Sequence, residues 1–253
     1  MVYNFRSAVL FGTFLFISFL SNSFAQDATE IVKKMDQQMR GDSQYAEVSM
    51  TIVRPDWERT ISMKSWSKGQ DYSMIYITAP ARDEGTAFLK RQNEIWNWVP
   101  NVGRTIKMPP SMMMQSWMGS DFTNDDLVRE SSVVNDYTHE LDGEEEVDGY
   151  ACYKITMKPK PDAPVIWDKV VAWITKDHYL ELKAEFYDEF GELINVMNAS
   201  DIQSFDGREL PAQMEMIPVE EDGQKTVLRY KTISFNENIP KSFFTIQQMR
   251  RLE

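Results

Sequence analysis

From Tyr45 onward the chain is built of short runs with period-two alternation of apolar and polar residues, broken at regular intervals by turn formers. The breaks fall at Lys68-Gly69-Gln70-Asp71, Asn93-Glu94, Asn101-Val102-Gly103, Asp148-Gly149, Asp177-His178, Glu189-Phe190-Gly191, Asp206-Gly207 and Asp222-Gly223. Such turns are too tight for crossover helices, so neighbouring strands must run antiparallel. The pattern predicts about a dozen strands near 46–54, 58–67, 71–78, 86–91, 95–99, 104–108, 150–158, 167–175, 180–188, 192–201, 212–217 and 226–235. A flat sheet of that many strands would coil under its own twist and expose long edges, which points to one large curled sheet or barrel. The chain shows no internal repeat and no Pro-, Gly- or Ser-rich linker. Pro159 to Pro164 is short enough for a hairpin loop, and a single domain over 26–253 is expected.

Two strands are apolar on both faces. In 71–78, Tyr72, Met74 and Tyr76 oppose Ile75 and Ile77; in 167–175, Val171 and Trp173 oppose Val170, Ala172 and Ile174. A sheet wetted on one side would alternate cleanly with polar residues, so helices or a guest must cover the second face. The opening helix and a Met-rich segment are the obvious covers. In 180–188, by contrast, Leu180, Leu182, Ala184 and Phe186 face one way and Glu181, Lys183 and Glu185 the other, which predicts a wet side.

Residues 1–25 carry one charge, Arg6, an apolar stretch from Ala8 to Leu20, and small residues at Ser23 and Ala25. That is the pattern of a secretory signal peptide cleaved after Ala25. An amphipathic helix then opens the chain: Asp27 and Glu30 mark its start, Ala28, Ile31, Val32, Met35 and Met39 share a face, and Gly41 stops it. The lone cysteine, Cys152, cannot form an internal disulfide, and about 228 exported residues can bury enough surface to fold without one. A bacterial periplasm fits; a eukaryotic secreted chain of this length would more often carry several disulfides. Without Arg6, 26 basic residues face 39 acidic ones, a net charge of −13. Nucleic acid is therefore not an expected partner, and contact with anionic membrane would need an apolar or protein-mediated step.

Met108 to Met118 (Met-Pro-Pro-Ser-Met-Met-Met-Gln-Ser-Trp-Met) interrupts the strands with five methionines and a tryptophan. Thioether side chains give an adaptable apolar surface suited to a greasy guest, so the segment reads as a lid; methionine between strands equally serves as core filler. Met112, Met113, Met114 and Met118 beside Trp117 also raise monovalent copper, although no histidine or fixed methionine spacing accompanies them. Asp121, Asp125 and Asp126 lack the alternating ligands and central glycine of a calcium loop, and no metal site is expected there. Thr123 or Asn124 can instead cap a short helix through Leu127 and Val128. His139 precedes the acidic run Glu144-Glu145-Glu146, which reads as a wet loop. With only His139, His178 and Cys152 and no nucleophile motif, the chain is not expected to be an enzyme, and no cofactor is expected.

The block Trp117-Met-Gly-Ser-Asp-Phe-Thr-Asn-Asp-Asp-Leu127, together with Ile95-Trp-Asn-Trp-Val-Pro100, Arg104, Ile106 and Phe205-Asp-Gly-Arg-Glu-Leu-Pro211, resembles the outer-membrane lipoprotein-sorting proteins of the LolA-like superfamily. Val147-Asp-Gly-Tyr-Ala-Cys-Tyr153, Trp173-Ile-Thr-Lys-Asp177 and Ile239-Pro-Lys-Ser-Phe-Phe-Thr245 support the likeness. The resemblance implies a mainly β fold: an unclosed antiparallel β-barrel capped by helices, whose apolar interior receives lipoprotein acyl chains or related lipids in the periplasm. Similar members belong with inner-membrane permeases of the resistance-nodulation-division type, so such a permease is an implied partner. None of the family's lipid-contacting residues is transferred individually. From the residues themselves, Trp96, Trp98, Met112, Met113, Met114, Trp117 and Met118 are the candidate wall or lid of an acyl-binding cavity, with barrel core as the alternative for the tryptophans. A carrier, a non-catalytic adaptor docking to a transport assembly, and a Met-rich copper carrier are the competing functional classes.

Overall fold

The computed structural model describes residues 27–129 and 132–252. The expected signal peptide and its cleavage site lie outside the described residues. A single α-helix, α1 (Ala28–Arg40), leads into six strands, β1 (Ser43–Arg54), β2 (Trp57–Lys68), β3 (Tyr72–Ala79), β4 (Ala87–Arg91), β5 (Glu94–Val99) and β6 (Arg104–Lys107). A long connector follows. The chain then forms β7 (Tyr137–Val147), β8 (Tyr150–Pro159), β9 (Lys169–Thr175), β10 (Glu181–Tyr187), β11 (Leu193–Phe205), β12 (Arg208–Pro218) and β13 (Lys225–Phe235), and ends in a one-turn helix, α2 (Ile246–Met249).

All thirteen strands belong to one antiparallel sheet in the order β6-β5-β4-β3-β2-β1-β13-β12-β11-β10-β9-β8-β7. Two meanders grow outward from the central pair of β1 and β13, in which Met50 faces Leu228. The edges β6 and β7 pair only with β5 and β8, so the sheet curls without closing. The connector from 108 to 136 joins those two edges, and topology alone makes it span the open side.

The expected opening helix is present. Asp27 caps α1 by accepting from the backbone N–H of Thr29 at 2.9 Å, and Gly41 ends it at a φ of 61°. Its Ile31, Val32 and Met35 are buried against the sheet. The double-faced burial expected of 71–78 is also present, with all of Tyr72–Ile77 buried. The outer cover, however, is neither α1 nor the Met-rich segment. Tyr72, Met74, Tyr76, Ala87 and Leu89 pack under Ile239, Phe244 and Met249, so the closing residues of the chain roof the outer face. The rings of Tyr72 and Phe244 meet at a tilt of 39°, with centroids 5.6 Å apart.

The acidic run after His139 is not a loop. It is the edge strand β7, paired with β8 from Tyr137 opposite Pro159 to Val147 opposite Tyr150 and shifted by an irregularity between Leu141 and Gly143. An edge strand has one neighbour and a solvated flank, which is why a run of glutamates can occupy it. Glu145 earns its place there: it accepts from Lys154 Nζ at 2.7 Å and from Trp173 Nε1 at 2.6 Å, and those bonds hold its carboxyl below the usual range. Lys154 and Lys183 lie over the Trp173 ring at 5.0 and 4.3 Å, so charged stems cover the outer apolar face of β9.

Candidate functional site

A cavity of about 340 Å³ lies inside the curl of the sheet. Its lining draws on strands far apart in sheet order, from Val48 and Met63 to Tyr137 and Met157, which only a curved sheet can bring together. Met197, Met214, Met216 and Leu228 supply its floor from β11, β12 and β13, while Met35 and Met39 of α1 and Phe122 and Leu127 of the connector close it from the other side. The volume lies in the range of small-molecule sites, and the many thioethers make the wall deformable.

The connector is a braced structure. Met108 and Met113 are buried; a single 3-10 turn spans Pro110–Met112. Asn124 holds that turn in place, its side-chain amide donating to the carbonyls of Met112 at 2.9 Å and Gln115 at 3.1 Å. Trp117 is fully buried, with its ring 5.4 Å from that of Phe88 on β4, and its Nε1–H has no hydrogen-bond partner. Asp121 fixes the far end: both carboxylate oxygens accept from Arg54 of β1 at 3.0 Å, and one also accepts from Thr226 Oγ1 of β13 at 2.6 Å. Thr123 caps the π-helical turn Asp125–Arg129, as the sequence led us to expect of Thr123 or Asn124. Its Oγ1 accepts from Asp126 N–H at 3.2 Å and its own N–H donates to Asp126 Oδ2 at 2.8 Å. His139 Nε2 donates to the carbonyl of Val133 at 2.7 Å while Nδ1 lies 3.2 Å from Thr29 Oγ1, so connector, β7 and α1 meet at one imidazole.

The seven candidate residues are not gathered in one wall. Trp117 and Met113 are buried beneath the connector, and Met112 and Met118 pack against the same core. Met113 with Met108 and Pro110 lines a separate recess of about 490 Å³ beside the cavity. Met114 is 70% exposed against 2% for Met113, so adjacent thioethers point apart and the four methionines do not converge as a copper site would need. Trp96 and Trp98 are on the outer face with Phe243 and Ile246, Trp98 under Arg250 at 5.2 Å, rather than on the cavity wall. The residues of the connector that reach the cavity come later in it, Phe122, Asp125, Asp126, Leu127 and Val133. The lining role of Met197, Met214, Met216 and Leu228 on β11 to β13 was not legible in the sequence, because these residues look like ordinary alternating core.

Four carboxyl groups, Asp36, Asp125, Asp126 and Glu181, line the cavity, and burial raises two of them, Asp126 and Glu181. Asp126 accepts from Trp167 Nε1 at 3.1 Å as well as from Thr123; burial pushes its carboxyl up against the pull of those bonds. Glu181 departs from the expected wet side of β10, which Lys183 and Glu185 keep. The β9–β10 register slips between Glu181 and Lys183, placing Glu181 opposite the fully buried Ile174 and on the cavity side. A bulge puts two successive residues on one face, so strict alternation misplaced it. Burial alone raises its carboxyl from 4.5 to about 7. Cys152 is buried, and desolvation raises its thiol, the opposite of what a nucleophile requires. Among the described residues no helix is long and apolar enough to cross a membrane.

The fold and hollow together define an unclosed β-barrel with a helix and a strapped connector over an apolar interior. The crystal structure of a DUF1329 family protein from Desulfovibrio piger is 28% identical, with a TM-score of 0.79 over 88% of this chain and 97% of that one. A LolA superfamily protein from Nitrosomonas europaea is 25% identical, with a TM-score of 0.77 over 88% and 99%. A putative outer membrane lipoprotein-sorting protein domain from Vibrio parahaemolyticus shares the fold at 22% identity and a TM-score of 0.79, over 88% and 98%. A family model described as "-like: Uncharacterized protein" matches residues 69–251, and the chain belongs to that family; its fold is LolA-like. No curated protein matches the sequence.

Proposed function

We propose that this chain is a non-catalytic periplasmic carrier that holds a lipoprotein acyl chain or another lipid in the cavity and passes it between inner-membrane machinery and the outer membrane. The observation that carries the reading is the hollow of about 340 Å³ lined by Met35, Met197, Met214, Met216 and Leu228. A closed core at protein packing density would leave no such space. Each methylene moved from water into it contributes about 0.8 kcal/mol, so a partly enclosed chain binds firmly and can still leave. The connector is the movable cover, with Met113 and Trp117 as its buried contacts and Met112 and Met118 beside them; Trp96 and Trp98 serve the outer layer. A permease of the resistance-nodulation-division type is the proposed loading partner. The relatives named for lipoprotein sorting and for the LolA superfamily support the reading.

Mass spectrometry of organic extracts of the protein, purified from periplasm without detergent, tests it. A recurrent lipid at near-equal molar ratio is expected, and its loss when Leu228→Trp fills the floor. Extracts free of lipid from a folded protein that also takes up none in solution would overturn the proposal and favour an adaptor role.

A further inference from the structure

Glu181 sits in the hollow with its polar valences open. Its carboxyl receives no hydrogen bond and no ion pair among the described residues, and burial is the single influence on it. The other charged or titratable groups lining the cavity are committed elsewhere. On α1, Arg40 Nε binds Asp36 at 2.9 Å; on the connector, Asp126 is held by Thr123 and Trp167, and Asp125 also has a partner. On the strands, Tyr137 donates to the carbonyl of Trp167 at 3.3 Å, and Tyr230 has a partner of its own. An apolar wall that retains one unmatched carboxyl carries a desolvation penalty that a bound group can relieve.

The chemistry of that group follows from the lining. Four carboxyl groups (Asp36, Asp125, Asp126 and Glu181) and one guanidinium that is already paired line the cavity among the described residues, so a fatty-acid carboxylate or a phosphate finds no free counter-charge there. A cationic amine would have to bury a charge pair among methionines, where desolvation offsets the attraction. A protonated carboxyl is both a donor and an acceptor, and a hydroxyl answers both functions without any net charge. Resting on the carrier reading above, we propose that the cargo is an uncharged lipid bearing a hydroxyl group, seated with that hydroxyl on the Glu181 carboxyl.

The test is displacement of a neutral fluorescent naphthylamine dye from the delipidated protein at pH 6 by 1-dodecanol, dodecane, dodecylamine and dodecanoate. Glu181→Leu should lower the ratio of dodecanol to dodecane affinity about five- to tenfold, the worth of one net hydrogen bond, while Glu181→Gln keeps it. An unchanged ratio in a folded Glu181→Leu protein overturns the inference alone; so does an amine or carboxylate whose binding depends on Glu181 more than that of dodecanol. If none of the four probes displaces the dye, the carrier reading falls with it. Should the leucine variant fail to fold, infrared difference spectra of the wild-type protein decide. A protonated carboxyl band that shifts on adding dodecanol and is absent from Glu181→Gln is expected, and a spectrum without that shift sinks the proposal.

Discussion

Arg54 and Asp121 lock face to face across 67 residues of sequence, guanidinium nitrogens Nη1 and Nη2 each 3.0 Å from a separate carboxylate oxygen. The side chains are 14% and 9% exposed, so the pair is sheltered from solvent screening, and Arg54 Nη2 also donates to the carbonyl of Gly119 at 3.0 Å. This clasp ties the connector to the end of β1. Removing one partner strands a partly buried charge, and Asp121→Ala should cost about 3 kcal/mol, read as a lower midpoint in urea. Amide exchange should accelerate across 113–129 before it does in β1. Equal protection in both proteins would mean that the connector is held by its apolar contacts instead.

Trp117 and Met114 are three residues apart and should behave oppositely. Trp117→Ala empties a fully buried site against Phe88 and is expected to destabilise the fold by about 3–5 kcal/mol. Trp117→Phe should cost much less, because it also removes an indole N–H that is buried without a partner. Met114→Ala, at an exposed position, should stay within about 0.5 kcal/mol. Thermal melts of the three variants check the ordering.

Gly41 must remain glycine for two reasons that act together. Its φ of 61° is left-handed, and an added Cβ would lie 3.0 Å from Phe235 Cδ1. Arg208 secures the same corner, Nη1 donating to the carbonyls of Gln37 and Gln38 at 3.0 Å each with its guanidinium 4.1 Å above the Phe235 ring. Gly41→Ala is expected to cost about 1–3 kcal/mol, and Arg208→Lys, which cannot keep both the fork and the stack, about 1 kcal/mol. Denaturation midpoints measured beside wild type provide the comparison.

Local pattern was enough for whatever is decided locally. Alternation with tight turns located all the strands but one, and Asp27 with Gly41 bounded α1 because caps are short-range chemistry. The strand missed, β7, is polar because it lies at an edge, and edge position is a property of the sheet order rather than of residues 137–147. The site was less legible for the same reason. Met114 and Met113 are neighbours in sequence yet differ from exposed to buried, and the cavity floor joins Met197, Met216 and Leu228 through pairings that no window of sequence contains. Phe244 was recognised as part of a closing motif, but its role as a roof over Tyr72 needed the fold. Glu181 was assigned to solvent because one slipped residue inverts the face of a strand.

The same carboxyl gives the protein a pH dependence of definite sign. Below the unfolded-state value of 4.5, Glu181 is protonated in both states and contributes nothing. As pH rises from there towards the folded value of about 7, the unfolded chain releases the proton and the folded one keeps it, so stability falls across that window. Above it both forms are ionised and the loss levels off at roughly 3 kcal/mol, the free-energy equivalent of the shift. Asp126, also raised, acts in the same direction, while Glu145 and Glu185, both lowered, act against it. The contribution of Glu181 is therefore read as the difference between wild type and Glu181→Gln in urea melts at pH 4, 6 and 8. The glutamine protein should gain on wild type progressively from pH 4 to pH 8. Parallel curves would place the carboxyl in contact with solvent, and would remove the reason for treating it as the polar anchor of the cavity.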